Sequence, residues 1–437
     1  MNAMKKLIVA LACCASVPAN AITLEEAVAS AIDSYPTLQE RFARLKSVEE
    51  QREVVTSEYL PQVSVRAEVG PEHTEYSSGQ LLDEDLTRDQ VSLSVSQLLF
   101  NGFDTRANSS RLEYEADSER LQLLAAAEDL ALKVCQIYLE VRKAEELVEL
   151  TERHVQGHME ILEDVKNLAS RGFANEADIA QVSARLANAR SSLVAARNNY
   201  NDLSATFQRF VGQRPANLRD PVTDPSLLPD SREQAIDWAR QTHPQLQAAI
   251  SDISAAKEEV RASQSGYYPR FSIEGYATSG HDIAGFEGRD EDYRVMLVME
   301  YDLYSGGRDK ALARTSNWRY NEALAIRNTT EQQLVEGTQF SWNAYNALQQ
   351  QEQIEAQSVD ASTLAETAYI TQFKLGKRSL LDLLNAKVEV FVARKAYINT
   401  RYDQQQATYR LLNSAGRLGY ALRVSYPNEW RNGEGVQ

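Results

Sequence analysis

The sequence predicts a mixed α and β membrane protein in which long antiparallel helices join four β-strands of transmembrane length. Three observations predict it. The chain carries an internal duplication, each half has paired segments of strictly alternating polarity, and each half has a proline-free stretch of ~66 residues with coiled-coil periodicity.

The composition narrows the function classes first. The 437 residues hold 62 acidic and 46 basic side chains, a formal charge of −16, with a mean hydropathy of −0.45. That is too polar for a bundle of membrane-spanning helices, and the acidic balance argues against nucleic acid as a partner. The apolar patterning is too regular for a disordered chain. Gly (19) and Pro (11) make about 7% of the chain, so each reads as punctuation between long elements.

Residues 1–21 read as a secretory signal peptide. Lys5 and Lys6 precede the apolar run Leu7–Ala15, and Ala19-Asn20-Ala21 supplies a cleavage site before Ile22. The alternative is a lipoprotein signal with Cys13 as the lipidated residue, for which Ala10-Leu11-Ala12 is a poor lipobox. After cleavage only Cys135 remains, so no internal disulfide can form and packing alone must hold the exported chain.

The duplication rests on landmarks in constant order. Tyr35-Pro36-Thr37-Leu38-Gln39 matches His243-Pro244-Gln245-Leu246-Gln247, and Tyr59-Leu60-Pro61 matches Tyr267-Tyr268-Pro269 at the same offset of 208. Leu99-Phe100-Asn101-Gly102 matches Leu303-Tyr304-Ser305-Gly306, and Gly172 through Asp178 matches Gly376 through Asp382, both at an offset of 204. The expected organisation is a first repeat over 22–212 with a hairpin at 62–100, and a linker over 213–230. A second repeat over 231–420 with a hairpin at 270–303 follows, and then a tail over 421–437.

Each repeat should open with a helix of roughly 37 residues (Leu24–Tyr59, Glu233–Tyr267) that ends before a proline. The strands follow. Val63, Val65, Ala67 and Val69 alternate with Ser64, Arg66 and Glu68, and Val91, Leu93 and Val95 alternate with Ser92, Ser94 and Ser96. The second repeat offers Phe271 and Ile273, then Val295, Leu297 and Met299. Period two over about ten residues suits a tilted transmembrane strand, although a half-buried strand of a soluble sheet has the same pattern.

The long helices run from Phe103 to about Ala169 and from Asp309 to about Lys374. In the first, one seam passes through Leu123, Ala127, Leu130, Val134, Ile137, Val141, Ala144, Val148, Thr151, Val155, His158, Leu162, Val165 and Ala169. The second seam (Leu334, Gly337, Ser341, Ala344, Leu348) is less clean. Glycine turns at Gly172 and Gly376 lead into return helices of ~37 residues, which makes neighbours antiparallel. Four strands cannot leave their edges open in a bilayer, and bacterial barrels need at least about eight, so two or more protomers must combine.

The element order, the duplication, the Tyr-x-Pro strand starts and the two Gly-to-Asp turns resemble the TolC family of outer-membrane channel-tunnels over Ile22 to about Tyr420. The resemblance implies a homotrimer, a 12-stranded barrel in the outer membrane of a Gram-negative bacterium, and a long α-helical barrel in the periplasm. It implies a passive duct of a tripartite system for type I protein secretion or small-molecule efflux. A periplasmic adaptor protein and an inner-membrane transporter would open it, with no cofactor and no enzymatic step.

The sharpest motif is the second turn, Phe373 to Ala386, which resembles the family's constricted periplasmic tip. Arg378 falls on the family's gate arginine, Asp382 on its first constriction aspartate, and Asp178 on the first-repeat aspartate that bonds that arginine. Phe373 stands where the family has tyrosine, and Asn385 where it has a second aspartate, which removes half of the constriction's negative charge. Without the resemblance, Arg378 and Asp382 at i,i+4 are an ordinary helix-surface pair. His154 and His158 could pair on a metal but lack the zinc-protease glutamate, and they read as structural. Gly306-Gly307 reads as the turn out of the sheet, and Glu25, Glu26 and Asp33 complement a helix N-terminus. The main alternative is a soluble periplasmic coiled-coil adaptor, which leaves the duplicated hairpins unexplained. An exported enzyme finds no catalytic set in the sequence.

Overall fold

The computed structural model describes residues 22–76 and 82–430, so the signal segment lies outside the described residues. The helices are α1 (Leu24–Ser34), α2 (Pro36–Thr56), α3 (Asp104–Ser170), α4 (Glu176–Val211), α5 (Arg232–Thr242), α6 (Pro244–Ala262), α7 (Arg308–Lys374), α8 (Leu380–Ser414) and α9 (Leu418–Ala421). The strands are β1 (Gln62–Tyr76), β2 (Leu82–Asn101), β3 (Arg270–Ile283) and β4 (Phe286–Glu300).

Each opening helix expected as one piece is two. α1 stops at Tyr35, whose extended backbone (φ −75°, ψ 125°) precedes Pro36, and α5 stops at His243 (φ −68°, ψ 120°) before Pro244. The proline ring excludes helical geometry from the residue before it, yet it opens the next helix well because the first-turn N–H is unneeded. A capping box starts α1: the Thr23 hydroxyl accepts from the Glu26 amide (3.2 Å), and the Glu26 carboxylate accepts from the Thr23 amide (3.0 Å).

The chain divides into two compact units, each drawing on both halves of the sequence. The helical unit comprises residues 22–35, 128–235 and 338–426. Its core is the α3 seam, of which Val134, Ile137, Val141, Ala144, Thr151, Val155, His158 and Val165 are buried. The buried Tyr138 hydroxyl lies 2.8 Å from the Ile22 carbonyl and 2.7 Å from that of Arg219, tying the segments before α1 and after α4 to α3. Glu128 accepts from the Gly419 amide and the Tyr426 hydroxyl, both at 2.9 Å.

The sheet-bearing unit comprises residues 36–127, 236–337 and 427–430 of the described chain. Ion pairs line α2 along the first part of α3, with Arg44–Glu119 at 2.8 Å, Arg120–Glu49 at 3.0 Å and Arg52–Glu113 at 3.0 Å. Arg240–Glu331 (3.1 Å) and Arg319–Glu259 do the same for α5 and α6 along α7. The strands form one antiparallel sheet in the order β1-β2-β3-β4, so the two hairpins meet at the β2–β3 pairing.

Register separates the two faces of the sheet. One face carries the rows Val63–Val95–Gly275–Val295 and Val65–Leu93–Ala277–Tyr293, continued by Ile273–Leu297 and Phe271–Met299. Val63, Val65, Leu93, Val295 and Leu297 are exposed on it. The opposite face carries Ser64–Ser94, whose hydroxyls are 2.7 Å apart, Arg66–Ser92–Thr278 and the Arg88–Glu72 ion pair at 3.4 Å. One apolar and one polar face, with the apolar residues left exposed, is the pattern of a lipid-facing barrel wall. Beyond β4, Gly306 (φ +67°) and Gly307 (φ +86°) make the turn into α7.

Long helix α7 differs from α3. Among the described residues its buried positions are Ser316, Thr338 and Ser341, and none is apolar. Leu312, Ile326, Phe340 and Ile354 recur every 14 residues, two heptads, and are at least half exposed.

Candidate functional site

The two turns at 171–175 and 375–379 share one construction. α3 and α7 each end in a Schellman motif. Phe173 N–H reaches back to Leu168 C=O and Gly172 N–H to Ala169 C=O, both 2.9 Å; Lys377 and Gly376 do the same to Gln372 (2.8 Å) and Phe373 (2.9 Å). Gly172 (φ +81°) and Gly376 (φ +70°) supply the left-handed residue. Open space surrounds both, so a side chain there would meet backbone strain and no clash.

The return helices then start with capping boxes. Asn175 Oδ1 accepts from Asp178 N–H (3.0 Å) while Asp178 Oδ2 accepts from Asn175 N–H (3.1 Å). Ser379 and Asp382 repeat the exchange at 3.1 and 3.3 Å. Each aspartate is therefore the third residue of its helix and anchors the helix start.

Arg378 sits over the second turn and is partly exposed. Its Nε donates to Gln372 Oε1 at 2.9 Å, its guanidinium lies 4.5 Å from the Tyr369 ring centre, and Nη1 is 3.9 Å from Asp382 Oδ2. Within the chain, among the described residues, Arg378 makes no ion pair with Asp178, whose carboxylate serves its own cap. Phe373 joins the tip core, packing on a cluster of Ile161, Val165, Val182, Leu380, Leu383 and Leu384. A tyrosine hydroxyl there would need a partner, which a phenyl ring does not.

Asn385 lies one turn beyond Asp382, on the face of α8 opposite the buried Leu380, Leu383 and Leu384. Its Oδ1 accepts from Arg185 Nη2 of α4 at 3.5 Å, a contact joining the first and second return helices. Tyr369, Gln372 and Arg185 escaped the sequence reading. Tyr369 and Arg378 are nine residues apart and meet only because the Schellman turn folds the chain back, and Arg185 and Asn385 are 200 residues apart.

His154 and His158 pack against one another and against α8. Their rings meet edge to face at 4.6 Å, and His154 stacks on Phe391 at 4.1 Å. Among the described residues no group of three or more His, Cys, Asp or Glu could hold a metal ion. Around the pair lie Lys387, Glu366 (2.8 Å from Lys387), Arg153, Arg394 and Arg185. Burial, then the neighbouring His158 and Lys387, hold His154 down at about 4; burial, then Lys387 and Arg185, lower His158.

Histidines of depressed pKa stabilise the fold fully above the ordinary histidine range near 6.5, and that contribution is lost as pH falls toward about 4. Urea unfolding of the detergent-solubilised protein should therefore weaken between pH 7 and 5. The expected slope approaches about 1.4 kcal/mol per pH unit for each such histidine. His158→Leu should flatten that dependence, and an unchanged slope would contradict this account of the pair.

The fold is that of long antiparallel helices joined in one chain to a four-stranded antiparallel sheet with an exposed apolar face. The model of the family described as "Outer membrane efflux protein" matches residues 27–213 and again 235–417, and the chain belongs to that family. It is 25% identical over 398 residues to the outer membrane efflux protein BepC of Brucella suis, covering 91% of this chain and 86% of BepC. It is 24% identical over 404 residues to the outer membrane protein TolC of Vibrio cholerae, covering 88% and 90% of the two chains. The CmeC outer membrane channel of Campylobacter jejuni shares the fold, with a TM-score of 0.79 at 14% identity over 90% of this chain and 86% of CmeC. The protein is accordingly an outer-membrane exit duct for efflux or secretion, with its helices in the periplasm, and a passive channel in place of an enzyme.

Proposed function

We propose that three copies of this chain close a 12-stranded barrel and a periplasmic helical barrel, forming the exit duct of a tripartite export system. A periplasmic adaptor and an inner-membrane transporter supply opening and energy, and the cargo is small molecules or secreted polypeptides. The observation that carries the reading is the sheet: four strands with an apolar outer face, and β1 and β4 as its edges. An exposed edge in a bilayer lacks hydrogen-bond partners, which a neighbouring copy supplies. The exposed 14-residue repeat on α7 gives the helices a seam for the same neighbours. The chain's two-copy order, 22–212 and 231–420 about the 213–230 linker, is read as a duplication, supported by the repeated element order and the double family match.

The same reading makes the turn region the closed entrance. Arg378, Asp382, Asp178, Asn385 and Phe373 are its candidate gate and constriction residues, with Gly172 and Gly376 as turn glycines. In support, Arg378 is held on one element by Tyr369 and Gln372 while its pairing with Asp382 is loose, which leaves it able to bond a neighbouring copy. Light scattering of the detergent-purified protein is the test of assembly. Three copies per particle are expected, and Phe340→Asp should shift the population toward monomer. A stable monomer of wild-type chain would refute the closed barrel.

A further inference from the structure

We infer that the pocket across α3, α7 and α8 beside the histidine pair binds a small inorganic oxyanion such as phosphate or sulfate, held by Arg153, His154, Lys387 and Arg394. The pocket lies wholly within the helical unit of one chain, and its occupancy is independent of the exit-duct reading. The first observation is charge. The walls bring two arginines, a lysine and a histidine together with a single carboxylate, Glu366, in a protein of formal charge −16. Glu366 pairs with Lys387 at 2.8 Å. Arg394 donates to the neutral Thr363 hydroxyl at 3.4 Å, and Arg153 lies 3.9 Å from the Glu149 carboxylate on its own helix. The remaining cations repel one another across α3 and α8 unless an anion sits between them. The lowered histidines agree: after burial, His158 and Lys387 act on His154, and Lys387 and Arg185 on His158.

The second observation is space. Gly157 is the one glycine among the 67 residues of α3, at an interior position where glycine is a poor helix former. A Cβ there would stand 3.7 Å from Lys387 Nζ, so the missing side chain clears the approach to the ammonium. The cavity measures about 80 Å³, several times the roughly 10–15 Å³ that one water needs. The third is unmet hydrogen bonding. His154 makes ring contacts with Phe391 and His158, and His158 Nδ1 is buried without a hydrogen-bond partner among the described residues. Guanidinium, ammonium and protonated imidazole all donate charge-assisted hydrogen bonds to an oxyanion, which would bridge α3 to α8.

The test is a calorimetric titration of the detergent-purified protein with sodium sulfate, at constant ionic strength in chloride, for the wild type, Lys387→Gln, Gly157→Leu and Lys166→Gln. Far-UV circular dichroism checks that each variant is folded; leucine favours the helix while filling the pocket. Saturable binding of one sulfate per chain is expected, weakened about tenfold or more in Lys387→Gln and Gly157→Leu and kept in Lys166→Gln, an exposed lysine outside the pocket. Sulfate keeps its charge between pH 7 and 5, and a bound anion favours protonated His154, so binding should tighten as pH falls through that range. A folded wild type without saturable binding, or binding that Lys387→Gln and Gly157→Leu leave unchanged, would overturn the inference.

Discussion

Leu297→Arg is expected to abolish assembly in the outer membrane, whereas Met296→Arg, one residue away, should be tolerated. Leu297 stands on the apolar face beside Ile273, in the row next to Val63–Val95–Gly275–Val295, and is largely exposed in the isolated chain. Successive strand residues point to opposite faces, so Met296 shares its row with Glu274, Ser96 and Gln62 on the polar side. An arginine in the lipid band costs about 2–4 kcal/mol per copy near the midplane, and each copy in the barrel carries it. The check is the amount of heat-modifiable, protease-resistant protein in outer-membrane fractions. Equal yields for the two variants would contradict the assignment of faces.

Arg378→Ser is expected to raise the single-channel conductance of the closed duct several-fold, with little loss of fold stability. Inside one chain the arginine contributes a stack on Tyr369, one hydrogen bond to Gln372 and a loose pair with Asp382 at 3.9 Å, all partly exposed. Contacts of that kind are worth about 1 kcal/mol or less each. A large functional effect from so small a local loss would mean that the guanidinium acts on a partner outside its own chain. Asp178→Ala should act in the same direction, but at the added cost of about 1 kcal/mol for losing the hydrogen bond its carboxylate accepts from the Asn175 amide. Conductance unchanged in both variants would remove these residues from the gate.

The sequence reading and the structure differ in instructive places. The long helices, the four strands and their register faces follow from periodicity, because period two and period 3.5 each leave one apolar side that burial or lipid must satisfy. Pro36 and Pro244 were legible as repeat landmarks, yet their local consequence, a helix break at Tyr35 and His243, follows from the same rings. Asp178 and Asp382 read as constriction residues through a resemblance, while the short patterns Asn175-x-x-Asp178 and Ser379-x-x-Asp382 already spelled capping boxes. The two roles are compatible, since a capping carboxylate keeps a second oxygen. Arg185 at Asn385 was illegible, because the contact spans two return helices from different halves of the chain. The weaker seam on α7 was visible as a loss of pattern, and its cause is that this helix keeps its apolar residues on the outside.

Recording ion current from purified mature wild-type protein in a planar bilayer is the most direct test of the central claim, that the chain forms a conduit across the outer membrane. Small, stable conductance steps, in a protein that needs detergent to stay dispersed, are the predicted result. A protein that remains soluble without detergent and yields no steps would contradict it.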